Sequence, residues 1–258
     1  MSEYRRRMRP ALGTYVEIGV PERIAEHDEI IDRAFAAISC VQSRLNRHDP
    51  GSELASLNRM GASRLSGLSV RVLRLARYVM RASNGLFDCT IGEVNAGRPE
   101  DIEIHGCHVL LHGSVKITLD GIAKGFAVDL AIKSLKKAGV DKGWVNAGGD
   151  LRVFGDLALP VWRREVDGQY FVAGHLKNAA MASSQVSEEP IEGFLGKIEH
   201  RSRAVAPEVG VWSVLAPSAW LADSLTKVAC LARPEEREQL ISKLGGKLIL
   251  NATGGEVA

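Results

Sequence analysis

The sequence predicts an α+β protein in which antiparallel β-sheets carry packed helices. Three observations predict it. Stretches with apolar residues at helical spacing are segregated from stretches that alternate apolar and polar residues, not interleaved one for one as in a doubly wound parallel sheet. The alternating stretches are short and divided by glycine-bearing turns, the pattern of hairpins. A length of 258 residues with 45% hydrophobic and 25% charged side chains is ordinary globular composition, which excludes disorder, collagen and coiled coil.

The elements follow in order. Residues 1–9 are basic (Arg5, Arg6, Arg7, Arg9) and resemble the start of an export signal, but no apolar run or cleavage site follows, so the chain as given reads as cytoplasmic. Residues 14–20 form a short β-type run ending at Pro21. From 22 to 45, Ile24, Ile30, Ile31, Ala34, Phe35, Ile38, Val41 and Leu45 recur at helical spacing. A turn at 46–51 precedes a helical turn at 52–58. Val72, Leu73, Leu75, Ala76, Val79 and Met80 mark a helix over 70–83, closed by Asn84-Gly85. Residues 108–112, a turn at Gly113-Ser114 and residues 115–119 read as a hairpin. A helix spans 123–138 and stops at Gly139. A strand begins at Val145, is interrupted by Gly148-Gly149 and resumes at 151–154. Short strands and loops fill 157–200, and 211–215 is a strand. Ser218 caps a helix through Leu231, a further helix spans 235–244, and 247–250 is the last strand. No repeat or low-complexity linker interrupts the chain, so a single domain over 1–258 is expected.

Charge and composition narrow the function. Thirty-three basic against 31 acidic side chains give a formal +2, which supplies no broad field for nucleic acid or anionic membrane. Aromatics at 5% do not make a base-stacking platform. No apolar run approaches the roughly 20 residues that span a bilayer. Cys40, Cys89, Cys107 and Cys230 are widely spaced without a CxxC, so they read as reduced thiols.

Three glycine-bearing passages have the makings of a site. In the first, 119–129, a strand runs into Asp120-Gly121 and then a helix start carrying Lys124. Backbone N–H groups and an ammonium there suit an anion, phosphate above all, although the P-loop spacing is missing. Taken alone the passage reads first as a tight turn with a solvated lysine. The second, 145–152, places Gly148-Gly149 between β runs, either for close approach to a ligand or as a turn that Asn146 and Asp150 bond. In the third, Asp223, Thr226 and Lys227 stand at i, i+3 and i+4 on one helix face. A carboxylate and a hydroxyl there suit Mg²⁺; an exposed Asp–Lys pair is the plainer alternative. His105, His108 and His112 cluster near Cys107, but with no carboxylate in view they read as solvent-facing strand positions.

In this order, the segments resemble the ApbE family of FAD:protein FMN transferases. The resemblance begins at Ala11-Leu12-Gly13-Thr14 and continues through SEL at 52–54 and Leu57-Asn58. GLFDCTIG at 85–92, GIAKGFAVD at 121–129, NAGGDLRVFG at 146–155, Ala182-Ser183-Ser184 and 213–227 complete it. It implies an ApbE-like (T-fold-like) architecture that binds FAD. By the same resemblance Leu12, Leu86, Phe87 and Asp88 contact the flavin. Thr118, Lys124, Asn146, Gly148 and Gly149 line the dinucleotide, with Lys124 near phosphate. Mg²⁺ sits on the Gly121 carbonyl, Asp223 and the residue four beyond it. The implied reaction moves FMN from FAD onto a threonine of an acceptor flavoprotein subunit and releases AMP, with Lys124 and Asp223 among the catalytic residues.

Departures accompany the resemblance. Lys227 replaces the family threonine, leaving Thr226 as the nearest hydroxyl. Thr118 replaces an aspartate, and Asp120 offers a carboxylate to the metal in its stead. The family's histidine-bearing stretch reads GKIEHRSR at 196–203, where His200 is the nearest candidate for removing the acceptor's proton. The substitutions leave two alternatives open: an FAD-binding module without transfer, and an FAD pyrophosphatase giving FMN and AMP.

Overall fold

The computed structural model describes residues 3–90, 97–164, 170–187 and 207–249. Seven antiparallel strands form the main sheet. Their order is β1 (Tyr4–Ala11), β2 (Thr14–Pro21), β6 (Gly143–Ala147), β7 (Asp150–Phe154), β10 (Ala180–Val186), β11 (Gly210–Ala216) and β12 (Lys247–Ile249). A small sheet orders β3 (Ala62–Arg64), β5 (His108–Leu111) and β4 (Ile102–His105), and β8 (Ala158–Arg164) pairs with β9 (Tyr170–Lys177). The helices are α1 (His27–Leu45), α2 (Glu53–Met60), α3 (Gly67–Ala82), α4 (Ala123–Lys137), α5 (Ala219–Leu231) and α6 (Pro234–Lys243).

Strand alternation gives the main sheet two different faces. Val145, Ala147, Ala180, Ala182, Val214 and Ala216 join the core beneath the helices, where small side chains let α4 and α5 lie close. Trp144, Leu151, Val153, Met181 and Leu215 point the other way, into a second cluster with Val161 and Leu176 of the β8–β9 hairpin. Among the described residues no helix is long and apolar enough to cross a membrane. All four cysteines are free, with Cys89 and Cys230 buried and Cys40 and Cys107 half-buried.

Four local expectations change. The basic N-terminal stretch is strand β1, paired along its whole length with β2. Its arginines alternate as a strand requires: Arg5, Arg7 and Arg9 pair with Asp28 and Asp32 on α1, while Arg6 stacks over Trp144 on the opposite face. Residues 22–26 stay outside α1, which begins at His27 after Glu26 at φ 57°. The hairpin lies one segment earlier than the alternation suggests, with β5 pairing β4 across Gly106-Cys107. Residues 115–119 are not a strand, because their partners are not strands. The Asn58 side-chain amide bonds both the N–H (2.7 Å) and the carbonyl (2.8 Å) of Ile117, and the Thr118 N–H donates to the Cys89 carbonyl (2.7 Å). Finally, a carboxylate does serve the histidine cluster: Glu103 lies 2.5 Å from His105 and 2.7 Å from His112 on the exposed face of β4–β5. Among the described residues, no group of three or more His, Cys, Asp or Glu is placed to hold a metal ion.

Candidate active site

The site forms where the start of α4, the start of α5 and the β6–β7 turn converge. Lys124 and Gly125 open α4, Asp223 and Lys227 lie one turn apart on α5, and Asp150 opens β7. Register decides where Asp150 points. It pairs with Ala147, which faces the helices, so its carboxylate is carried beneath α4 and α5 and not into solvent.

Two carboxylates form the floor. Asp223 is 0% exposed and Asp150 1%. Asp223 accepts the Gly125 N–H through Oδ2 at 3.1 Å and a short ion pair from Lys227 through Oδ1. Lys227 Nζ also donates to the Asp223 backbone carbonyl at 3.0 Å. Asp150 Oδ1 is 3.3 Å from Lys124 Nζ, and its Oδ2 is buried with no hydrogen-bond partner among the described residues. The lysines are the solvent-facing part: the Lys124 side chain keeps 29% of its surface and Lys227 keeps 20%. Each sealed carboxylate is thus paired with a lysine whose side chain is partly exposed, and in so sheltered a place these charges are only weakly screened.

Burial first, and then the nearby Asp223 charge, push the Asp150 carboxyl up to about 7, against the pull of Lys124 and Lys227. Burial works against the Lys124 ammonium, but Asp150 and Asp223 outweigh it and hold its pKa above the ordinary lysine value. Between the usual aspartate value of 3.8 and about 7, the folded chain holds a proton on Asp150 that the unfolded chain has lost. The contribution of this group to stability therefore falls as pH rises through that window. Lys124 adds nothing there, since its ordinary value is 10.5. We expect Asp150→Asn to flatten the decline, read as urea midpoints at about pH 5 and about pH 7.5; an unchanged slope would assign it to other groups.

Around this centre the glycine passages act as spacers. A Cβ on Gly121 would meet Phe87 at 3.1 Å and the Lys227 stem at 3.6 Å, so the FD turn, the GIAKG turn and Lys227 are one packed unit. Phe87 is buried and its backbone N–H donates to the Ser83 hydroxyl oxygen at 3.0 Å. Asp88 Oδ1 accepts the N–H (2.8 Å) and the hydroxyl (2.6 Å) of Thr90, and Leu86 packs half-buried against the core. Thr118 is half-buried beside the same turn through its bond to Cys89. Gly148, at φ 58°, sits against Thr14, whose Oγ1 would lie 2.5 Å from an added Cβ. That contact seats the β6–β7 turn on the β1–β2 turn, where Leu12 is held at φ 55° with its N–H on Gln42 Oε1 at 2.9 Å.

Several sequence expectations come out differently. Asn146 is not beside Lys124. It bonds the Gly149 N–H at 3.0 Å and faces the other side of the sheet, into a cavity of about 610 Å³ shared with Trp144, Leu151 and Trp162. Thr226 is buried with its hydroxyl given to the Asp223 carbonyl (2.7 Å) and set against Ser184 Oγ (2.7 Å), turned from the carboxylate it was expected to assist. Asp120 is exposed and pairs with Arg47 at 3.2 Å, so it does not join Asp223. The α4 N–H groups expected for an anion are partly spent, Ala123 on the Leu119 carbonyl and Gly125 on Asp223. Ser218 occupies the N-cap of α5 without capping it. Asp129 of α4 does so instead, accepting the N–H groups of Ala219 (3.0 Å) and Trp220 (2.9 Å) while paired with Arg152. His200 lies outside the described residues.

A seven-stranded antiparallel sheet under packed helices, with two lysines paired to two sealed carboxylates between α4, α5 and β7, defines an α+β protein with a charged, largely buried centre. The model of the ApbE family matches residues 12–250, and the chain belongs to that family. A FAD:protein FMN transferase of Rhodobacter capsulatus is 27% identical, over 93% of this chain and 54% of its own length, so the chain spans about half of that relative. The fold is shared with solved structures. The ApbE protein of Thermotoga maritima superposes with a TM-score of 0.84 at 20% identity, covering 95% of this chain and 93% of that one. The apo flavinyl transferase ApbE of Pseudomonas stutzeri gives 0.79 at 16% identity, covering 93% and 88%.

Proposed function

We propose that this chain binds FAD and transfers its FMN half to a threonine hydroxyl of a partner flavoprotein, releasing AMP. The observation that carries the reading is the pair of partly exposed lysines, Lys124 and Lys227, bonded to the sealed Asp150 and Asp223. Family membership and the transferase named for the Rhodobacter relative support it. In the step, the threonine oxygen forms a bond to the phosphorus of the FMN half. The anhydride bond to the AMP phosphate breaks, AMP leaves with that oxygen, and the hydroxyl proton passes to a base. Negative charge grows on the phosphoryl and leaving oxygens, and ammonium groups fixed beforehand stabilise it without reorganising. Phe87, packed on Gly121, borders the flavin side of this centre, with Leu86 and Asp88 on the same turn and Thr118 beside it.

The Mg²⁺ that the resemblance implies does not fit the residues as they stand. Both carboxylate oxygens of Asp223 are engaged, Thr226 is turned away and Asp120 belongs to Arg47.

Incubation of the protein with FAD and a threonine-containing acceptor peptide tests the reaction. The expected result is a peptide heavier by FMN less water, with AMP formed in equal amount. AMP and free FMN without the adduct would make the chain a pyrophosphatase. Bound FAD left intact would make it a binding module.

A further inference from the structure

We propose that the Lys227 ammonium is the resident cation of this site, so that the chain grips the diphosphate of FAD without a divalent metal. The inference rests on the flavin-dinucleotide reading and concerns what neutralises the ligand.

The argument is geometric. Lys227 Nζ is bonded to two oxygens of one residue, the carboxylate and the backbone carbonyl of Asp223. It is thus a positive charge held by oxygens, the role a hard cation fills elsewhere. Its stem is braced over Gly121, whose near neighbours are Phe87 and Lys227 itself, so the ammonium is positioned and not merely tethered. A divalent ion entering here would be repelled by Lys227 and would find Asp223 Oδ2 already accepting the Gly125 N–H. The nearest hydroxyl, Thr226, is committed to α5 and β10.

Donor arithmetic points the same way. An ammonium has three N–H donors. Among the described residues Lys227 spends two on Asp223 and Lys124 has Asp150, which leaves donors on both lysines for phosphate oxygens. The carboxylates beneath hold the two like charges together, and the partial exposure of both lysine side chains gives the ligand access.

Calorimetric titration of FAD into the full chain, in EDTA and in MgCl₂, decides the matter. The wild-type dissociation constant is expected to agree between the two buffers within about twofold, and titration of MgCl₂ alone is expected to give no binding heat. Lys227→Thr is expected to lose about tenfold or more in EDTA and to regain affinity in MgCl₂, because an oxygen ligand and an open carboxylate replace the ammonium. Wild-type binding that tightens about tenfold or more with MgCl₂ would overturn the proposal while keeping the flavin reading. Absence of saturable FAD binding in either buffer would overturn both. The wild-type comparison needs no variant to fold, and far-UV circular dichroism of Lys227→Thr guards the second.

Discussion

Asp223→Ala is expected to cost about 3–5 kcal/mol of folding stability, and adding Lys227→Met to recover most of that loss. Asp223 is sealed from water, and its carboxylate accepts one bond from Lys227 Nζ and one from the Gly125 N–H, while its backbone carbonyl accepts a second Lys227 bond that the substitution leaves in place. Removing its carboxylate strands the Lys227 charge in a place where water reaches only a fifth of the side chain, and leaves the Gly125 N–H without its acceptor. Lys124 loses one of the two negative charges that hold it protonated. Leaving one member of a buried pair alone is the expensive outcome, whereas removing both is often nearly neutral. Methionine preserves the unbranched stem that packs over Gly121, so the double variant isolates the charge from the packing. Denaturant unfolding of the four proteins gives the coupling directly. Independent, additive losses would mean that Asp223 and Lys227 do not act as a pair.

Such a result would also rank the parts of the site. The lysines face the ligand, but the carboxylates decide where the lysines stand, so a stability readout and a ligand readout should separate. Lys227→Thr removes the charge that meets the ligand. Asp223→Ala removes the support for that charge and a link between α4 and α5. A loss of FAD affinity in the second variant is secondary to displaced lysines.

Most of the fold is legible in the sequence because periodicity reports burial. The helices at 27–45, 67–82 and 123–137 and the hairpin of β6 and β7 follow from apolar spacing and glycine placement. Strand β1 escapes that signal because its alternation is written in arginines: the charges face α1 on one side and Trp144 on the other, and a hydrophobicity pattern does not register either. The segment 115–119 has the right alternation and the wrong partner, since a side-chain amide and a loop carbonyl supply its bonds.

The candidate site is legible in its lysine and its aspartate, Lys124 and Asp223, but not in how they are completed. Helical spacing puts Asp223, Thr226 and Lys227 on one face, yet packing against β10 turns Thr226 toward Ser184 while Lys227 folds back onto the carboxylate. Asp150 reads as a turn residue in NAGGD, and only the strand register directs it inward. A signal was present: a carboxylate paired across the hairpin from an apolar Ala147 is out of place unless something charged waits for it. Asp129 similarly shows its purpose only once α5 is packed against α4.

Gly125→Ala should bring a net loss of about 2–4 kcal/mol and of the site's geometry. On helix propensity alone the change is favourable by about 1 kcal/mol. Space reverses the sign. The new Cβ would lie 2.3 Å from the Ala219 carbonyl oxygen, 2.6 Å from its carbon and 2.8 Å from the Trp220 nitrogen. These are backbone atoms at the start of α5, and they are pinned: the Asp129 carboxylate holds both N–H groups there, and Arg152 holds Asp129. Nothing flexible can yield, so α4 and α5 must separate. Separation lengthens the 3.1 Å bond from the Gly125 N–H to Asp223 and carries Lys124 away from Lys227. The FAD affinity and the thermal midpoint should therefore fall together. Gly67→Ala, at the first position of α3 with nothing within 4 Å of its Cβ, is the matched control and should be neutral or mildly stabilising. If Gly125→Ala proved as harmless as that control, the close crossing of α4 over α5 would be wrong, and with it the reason that Lys124 and Asp223 share a site.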